Sequence, residues 1–561
     1  MLKSIVYLLK KINKMDSFSK LWQLILGEKK EIGSIYFYAI LNGFVQLMIP
    51  IGIQAIIGLV LGGTMITSMY ILIFLIVFGV LAGGLMQINQ MKIIEKIQQK
   101  IFTKYAFAFT DKLEKIDINK NHNGYLPDKV TKFFDAINLQ KGVSKILLDI
   151  PAATIQIVFG LLLLMIYHNA FIVFSIFLIV ILWSILKFTS KKGLTTSLTE
   201  SKYKYAVAGW IIELARNINS LRLSKNDEFN FNRTDKNLVG YLQARNNHFK
   251  VLMLQYKTLV VFKVAITAAM LSVGTVLLIN QKINIGEFIA SEIVILMVIG
   301  AVEKLISSLD VIYDILTAIE KLDSVLDLKN EKTGEIELKK DELSISLKDV
   351  AYQYENGKLI VSDINQTINK GDKICIYGEP QVGKSTLLKI LSFHYLEYKG
   401  NLLINSIPQK NYYLNSLRKA TSYFSINNNL FLGTLWENIS LGNNQLDHNE
   451  LIKITHELGY DSILNEFNQG FETIIEPEGN AISNSTKIKI LILRAIANQS
   501  IYTLLDEPFK HLNEDETDKL INYINSQKEC TFIVTTKIKN IALQFEKNWE
   551  IKNEKIIQLN K

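Results

Sequence analysis

The chain has 561 residues, 49% hydrophobic and 20% charged, with a formal net charge of +9 and two cysteines. Its length suits two or more domains. The positive balance does not single out nucleic acid, because many lysines flank apolar runs and no Arg-rich patch interleaved with aromatics occurs. Cys375 and Cys530 each fall in or beside an expected buried strand, which argues against a disulfide framework and for a reducing compartment. No metal-ligand spacing is present.

Residues 1–33 form a lysine-studded amphipathic stretch containing Trp22, without a signal-peptide cleavage site, and read as an interfacial helix. Six apolar segments follow, at 34–60, 68–86, 147–167, 170–186, 251–278 and 285–306. Each is about long enough for a hydrocarbon core of about 30 Å, which takes roughly 20 helical residues. The stretches 92–145 and 187–250 are rich in Lys and Arg, as is the N-terminal stretch. The intervening loops 61–67, 168–169 and 280–284 contain one lysine, Lys282. The positive-inside rule therefore places both termini and the two long polar stretches in the cytosol. The membrane helices continue into these stretches as hairpins, with tips expected near 119–127 and 215–227. In the third pair of segments, Lys263 and Glu303 reach similar depth at about 1.5 Å per residue. They either pair or line a cavity, or lie at the cytosolic interface and snorkel.

Residues 323–342 are charged and poorly periodic and read as a linker, which makes 34–322 the membrane domain and 343–561 a soluble α/β domain. Alternating apolar residues at 343–347 and 350–354 read as strands. Lys373–Tyr377 reads as a short buried strand, and the helix after it starts near Leu387. Further strands are expected at 402–404, 502–505 and 531–534, with a mainly helical region over 414–466.

Between strand and helix lies Gly378-Glu379-Pro380-Gln381-Val382-Gly383-Lys384-Ser385-Thr386, which matches the phosphate-binding pattern G-x-x-x-x-G-K-[ST]. Glycines let backbone N–H groups converge on phosphate oxygens, and the helix N-terminus adds partial positive charge. Lys384 then reaches the β- and γ-phosphates of ATP, and Ser385 offers its hydroxyl to Mg²⁺. Asp506-Glu507, at the end of an apolar run, is the second signature. The aspartate can hold Mg²⁺ through water, and the glutamate can position a water against the γ-phosphate.

Six spans with long cytosolic hairpins, followed by this nucleotide domain, resemble a half-transporter of the ATP-binding cassette exporters. The resemblance is nearest to the transporters of type I secretion and bacteriocin export, without the peptidase domain that some of those carry ahead of the first span. It implies a multi-pass protein of the inner membrane. It also implies a homodimer or a heterodimer with a second half-transporter, a possible periplasmic adaptor, and two ATP molecules between paired cassettes. On the family pattern Tyr354 stacks on adenine. Gly378, Val382, Gly383, Lys384, Ser385 and Thr386 match the phosphate loop, with Gln381 in place of its usual middle glycine. Asp506 binds metal, Glu507 is catalytic, and Ser483 is what remains of the signature motif.

The other family motifs depart. The Gln loop falls on Ile426, and the signature aligns with Ile482-Ser483-Asn484-Ser485-Thr486, without its glycines. The switch histidine aligns with Thr536, and the Asp after the catalytic glutamate is Asn513. The expected function is an ATP-driven exporter subunit for a peptide, protein or other amphipathic substrate. The alternative is an ATP-binding subunit with weak or no hydrolysis and a regulatory or structural role.

Overall fold

The computed structural model describes residues 17–63, 67–120, 126–226, 228–339, 343–354, 357–479 and 481–558. The first half of the expected interfacial stretch, 1–16, lies outside them. The chain divides into two compact units, Met1–Asn330 and Glu331–Lys561.

The first unit is helical. Helix α1 (Ser17–Leu26) buries Leu21, and Lys20 bonds Asp323 at 2.7 Å, while Phe18 and Trp22 stay exposed. Then come α2 (Lys29–Leu61), α3 (Thr67–Lys115), α4 (Asp135–Tyr167), α5 (Ala170–Arg216), α6 (Phe229–Ile279) and α7 (Ile285–Leu326). Five helices among the described residues are long and apolar enough to cross a membrane: Lys29–Leu61, Thr67–Lys115, Leu126–Tyr167, Phe229–Ile279 and Ile285–Leu326. The remaining expected span lies on α5. Its apolar stretch Ala170–Ile181 runs on into positions whose side chains are outside the description. This is a multi-pass membrane protein. The apolar faces of these helices are largely exposed, as the hydrocarbon of a bilayer permits, because lipid rather than water surrounds them.

Helices α3 and α5 to α7 extend well past their apolar runs, so the polar stretches are continuations of the membrane helices. Helix α7 is the most buried of the set and packs along α4. The two approach closely at Gly160, where a Cβ would stand 2.6 Å from Val298 Cγ2. Lys263 of α6 and Glu303 of α7 form an ion pair, with their side chains 32% and 40% exposed. At the start of α7, Asn284 and Glu287 form a reciprocal capping box. The helix continues to Leu326, inside the stretch expected as linker.

The second unit is α/β. Strands β1 (Ile345–Gln353), β2 (Leu359–Ile368), β4 (Lys399–Ile404) and β5 (Ile407–Pro408) make an antiparallel sheet in the order β2-β1-β4-β5. The two strands expected at 343–347 and 350–354 are one strand. It is interrupted by register shifts between Leu347 and Val350, where Asp349 adopts φ 51°. Such a bulge breaks the alternation that a sequence pattern relies on. The main sheet runs β12-β11-β3-β10-β9-β6, with β3 (Lys373–Tyr377), β6 (Thr421–Ser425), β9 (Tyr502–Asp506), β10 (Thr531–Thr536), β11 (Lys547–Lys552) and β12 (Lys555–Gln558). All neighbours in it are parallel except β11 and β12. Strands β3, β9 and β10 are buried along almost their whole length, as a parallel sheet covered on both faces requires. The region expected as mainly helical thus contains the edge strand β6. It is short, and its Thr421, Tyr423 and Phe424 favour a strand, which pairs with β9. A two-residue pair, β7 (Gly433–Thr434) and β8 (Ile474–Ile475), closes the smaller helical part.

Candidate nucleotide-binding site

Strand β3 lies between β10 and β11, and its carboxyl end feeds the phosphate loop into α8 (Lys384–Leu391). In open α/β sheets ligands bind beyond the carboxyl ends of strands. Asp506 and Glu507 stand at the end of β9, and Thr536 at the end of β10. The structure therefore brings the two sequence signatures together.

The loop is held by its backbone. Gly383 adopts φ 107°, and a Cβ there would meet the Ile360 carbonyl oxygen, Ile360 Cγ2 and Val361 Cγ1, each at 3.0 Å. Gln381, where the sequence pattern leads one to expect a glycine, is exposed and takes φ 68°. A left-handed conformation costs a residue with a Cβ about 1–2 kcal/mol, so the substitution loads the backbone rather than crowding the interior. The Lys384 ammonium, 5% exposed, donates to the carbonyls of Gly378 at 2.6 Å and Glu379 at 3.0 Å. It lies 3.2 Å from Glu507 Oε1. Gly378 N–H donates to the carbonyl of Thr536.

The acidic pair has a partner that motif reading missed. Thr535, fully buried, donates its hydroxyl to Asp506 Oδ1 at 2.9 Å and accepts the Glu507 N–H at 2.8 Å. One side chain thus fixes both acids. Its only sequence signal is its place one residue before the end of β10. Glu507 itself adopts φ 51° immediately before Pro508, a strained conformation of the kind that gathers at functional sites.

Burial raises the Asp506 carboxyl above its usual range, and hydrogen bonds from Ser385 and Thr535 work against that. A raised carboxylate pKa means that the folded state binds the proton more tightly than the unfolded one. Stability then falls as pH rises through the window between the ordinary and the raised value, and the cost persists above it. Asp506→Asn is accordingly expected to raise the melting temperature at pH 7. The gain should shrink as pH drops into the carboxylate range, read by thermal unfolding of both proteins from pH 4 to pH 8.

Tyr354, 39% exposed, places its hydroxyl 3.3 Å from Thr386 Oγ1. Its ring meets Tyr352 edge-on, and Tyr352 stacks on Tyr395 at 5.0 Å. Tyr395 was not legible as part of this group. Val382 packs against the core that contains β3, Ser385 is exposed beside Asp506, and Thr386 is buried.

Ser483 makes no hydrogen bond to these residues among those described. It is the N-cap of α9 (Asn484–Ala497), accepting the Thr486 N–H at 3.0 Å, and the Thr486 hydroxyl donates to Glu466 at 2.7 Å. Ile426 packs against the hydrophobic core. Thr536 is buried, with its hydroxyl accepting the Ile538 N–H. Asn513 caps α10 (Glu514–Ser526) in a box with Glu516, which pairs with Lys489 at 2.6 Å.

Residues 361–510 match the family model of the ABC transporter. The fold is that of a bacterial Atm1-family ABC exporter with ATP bound, at a TM-score of 0.82 and 14% identity over 94% of each chain. The chain has the half-transporter fold of an ABC exporter. Among relatives, it is 23% identical over 337 residues to the lactococcin-A transport/processing ATP-binding protein of Lactococcus lactis subsp. lactis, covering 58% of this chain and 46% of that one. It is 23% identical over 484 residues to the sublancin-168-processing and transport ATP-binding protein of Bacillus subtilis, covering 83% and 66%. An ATP-dependent lipid A-core flippase of Francisella novicida is 27% identical over 206 residues, 36% of this chain and 35% of the relative. The chain spans about half the length of the lactococcin relative. As an ABC domain, the second unit is an ATP-binding fold.

The residues suit a magnesium nucleotide. A buried ammonium at a glycine loop without room for a Cβ, beside a hydroxyl and a carboxylate, is a set for phosphate oxygens and a hard cation. Among the described residues no group of three or more His, Cys, Asp or Glu could hold a metal ion.

Proposed function

We propose that the chain is one half of an ATP-dependent exporter that moves a peptide, a protein or another amphipathic substrate out of the cytosol. The convergence of Lys384, Ser385, Asp506 and Glu507 at the strand ends of one sheet is the observation that supports it. Bound ATP with Mg²⁺ supplies the phosphoanhydride bond whose hydrolysis drives transport. With the nucleotide bound, Lys384 would neutralise the outer phosphates, Ser385 and Asp506 would hold the metal, and the exposed ring of Tyr354 would support the adenine. Glu507, its backbone fixed by Thr535, orients the attacking water. The lactococcin-A and sublancin-168 transport roles of two relatives favour a peptide. The lysine-rich polar stretches favour an orientation with the termini and the ABC domain in the cytosol, and the membrane in this reading is the inner one. The chain works as a homodimer or with a second half-transporter, and a periplasmic adaptor fits the same reading.

A second reading is an ATP-binding subunit that hydrolyses weakly and regulates or builds a transporter complex. Its support is the sequence reading that aligns Ile426, Asn484, Ser485 and Thr536 with the positions where the family pattern expects the groups of hydrolysis. Steady-state ATPase and ATP binding of the purified full chain separate the two. In the export reading, Glu507→Gln keeps ATP binding and lowers turnover by about 100-fold or more, the loss typical of removing one transition-state contact. Lys384→Ala loses binding as well. ATP binding with turnover indifferent to both substitutions overturns the export reading in favour of the regulatory one.

A further inference from the structure

The first unit holds a polar cavity of about 410 Å³ between α4, α5, α6 and α7. Its polar groups divide into two sets. One set is satisfied within the protein. Arg245 pairs with Glu200 at 3.1 Å, and Asp135 takes the Tyr205 hydroxyl at 2.6 Å and lies 3.8 Å from Lys204. Ser197 and Thr317 bond each other at 2.9 Å. The other set is open. Among the described residues, Lys141, Lys145 and Asp314 line the cavity without an ion pair. The Ser201 hydroxyl, on a residue only 5% exposed, also lines it and has no hydrogen-bond partner among the described residues.

The chemistry of the open set is specific. Lys141 and Lys145 lie one turn apart on one helix, so both ammonium groups can reach one anion. Lys145 stands two residues before the apolar run 147–167, at the membrane border. The cavity runs from there to Ser201, in the polar stretch 187–250, and basic pockets between membrane helices on the cytoplasmic side bind lipid headgroups. The buried Ser201 hydroxyl adds a neutral donor. Asp314, from α7, adds a carboxylate that repels a plain anion and attracts an ammonium.

The geometry points to a binding site for a phosphoethanolamine group, its phosphodiester on Lys141, Lys145 and Ser201 and its ammonium on Asp314. The group belongs either to an ethanolamine phospholipid of the surrounding bilayer or to soluble glycerophosphoethanolamine. A phosphoglycerol headgroup lacks the ammonium, and a choline headgroup has no N–H to donate.

Native mass spectrometry of the detergent-solubilised full chain tests this, with dioleoyl phosphatidylethanolamine, phosphatidylglycerol, phosphatidylcholine and glycerophosphoethanolamine titrated separately. The ethanolamine lipid is expected to bind about tenfold more tightly than the choline or glycerol lipid. Asp314→Asn, isosteric with the parent, should abolish the preference for ethanolamine over glycerol while leaving phosphatidylglycerol bound. The double change Lys141→Ala and Lys145→Ala should weaken both. Equal binding of the ethanolamine and choline lipids by the parent chain overturns the assignment, and so does an unchanged preference in Asp314→Asn. Glycerophosphoethanolamine binding as tightly as the lipid assigns the soluble source, and weaker binding assigns the bilayer.

Discussion

Gly383→Ala is expected to unfold the ABC domain at a lower temperature and to abolish its retention of ATP. Two costs coincide at this residue. At φ 107° an L side chain is strained by about 1–3 kcal/mol. The added methyl also meets a backbone carbonyl, that of Ile360, which cannot rotate away as a flexible side chain would. Overpacking of this kind adds about 1–3 kcal/mol. Together they amount to about 2–6 kcal/mol, a fall of roughly 4–24 °C in melting temperature for a domain of this size. Gln381→Gly, two residues earlier, should act with the opposite sign. It relieves a left-handed glutamine at φ 68° worth about 1–2 kcal/mol and returns about 0.5–1 kcal/mol in unfolded-chain entropy. Differential scanning calorimetry of the two variants checks both signs. A Gly383→Ala protein that melts with the parent would mean that the loop backbone differs from the one described.

Thr535→Val is expected to leave ATP affinity within a few-fold of the parent and to cut turnover by about 10- to 100-fold. The substitution keeps the shape of a fully buried side chain and removes the hydroxyl that holds both acids. The Glu507 N–H then has lost its acceptor, which costs about 1–3 kcal/mol in a buried setting. The carboxylate opposite Lys384 loses its fixed origin. Thr535→Ser, which keeps the oxygen, should recover most of the rate. A kcat effect without a KM effect, rescued by serine, distinguishes positioning from general destabilisation. Equal turnover in Val and parent proteins would remove Thr535 from the site.

Much of this was legible in the residues. Strand β3, the glycine loop and the first turn of α8 announce themselves because each uses chemistry that few other sequences share. Buried parallel strands read as unbroken apolar runs, which located Tyr502–Leu505 and Thr531–Val534. The depth count that set Lys263 beside Glu303 held because helices advance by a constant rise, and the structure shows the pair. What stayed hidden depends on tertiary geometry. Nothing local to Gln381 or Glu507 announces a left-handed backbone, since neither is glycine or asparagine. Thr535 looks like any strand threonine until β9 lies alongside. The stacking of Tyr352 on Tyr395 joins positions 43 residues apart in sequence. Strand β6 contains the strand formers Thr421, Tyr423 and Phe424, but five residues carry too little pattern to stand out, and its partner β9 lies far along the chain.

The order of strands in the main sheet has a temporal side. Strand β3, which carries the phosphate loop, pairs on one edge with β10 and on the other with β11. Both partners lie far downstream, and Lys552 leaves the ribosome roughly 170 residues after Lys384, about 10–30 s later at ordinary elongation rates. For that interval the strand behind the loop has two open, apolar edges, while the helices of the first unit have already been made. The nascent ABC domain therefore waits for its own late strands beside a bilayer, and chaperone capture or faulty edge pairing would strike in this window.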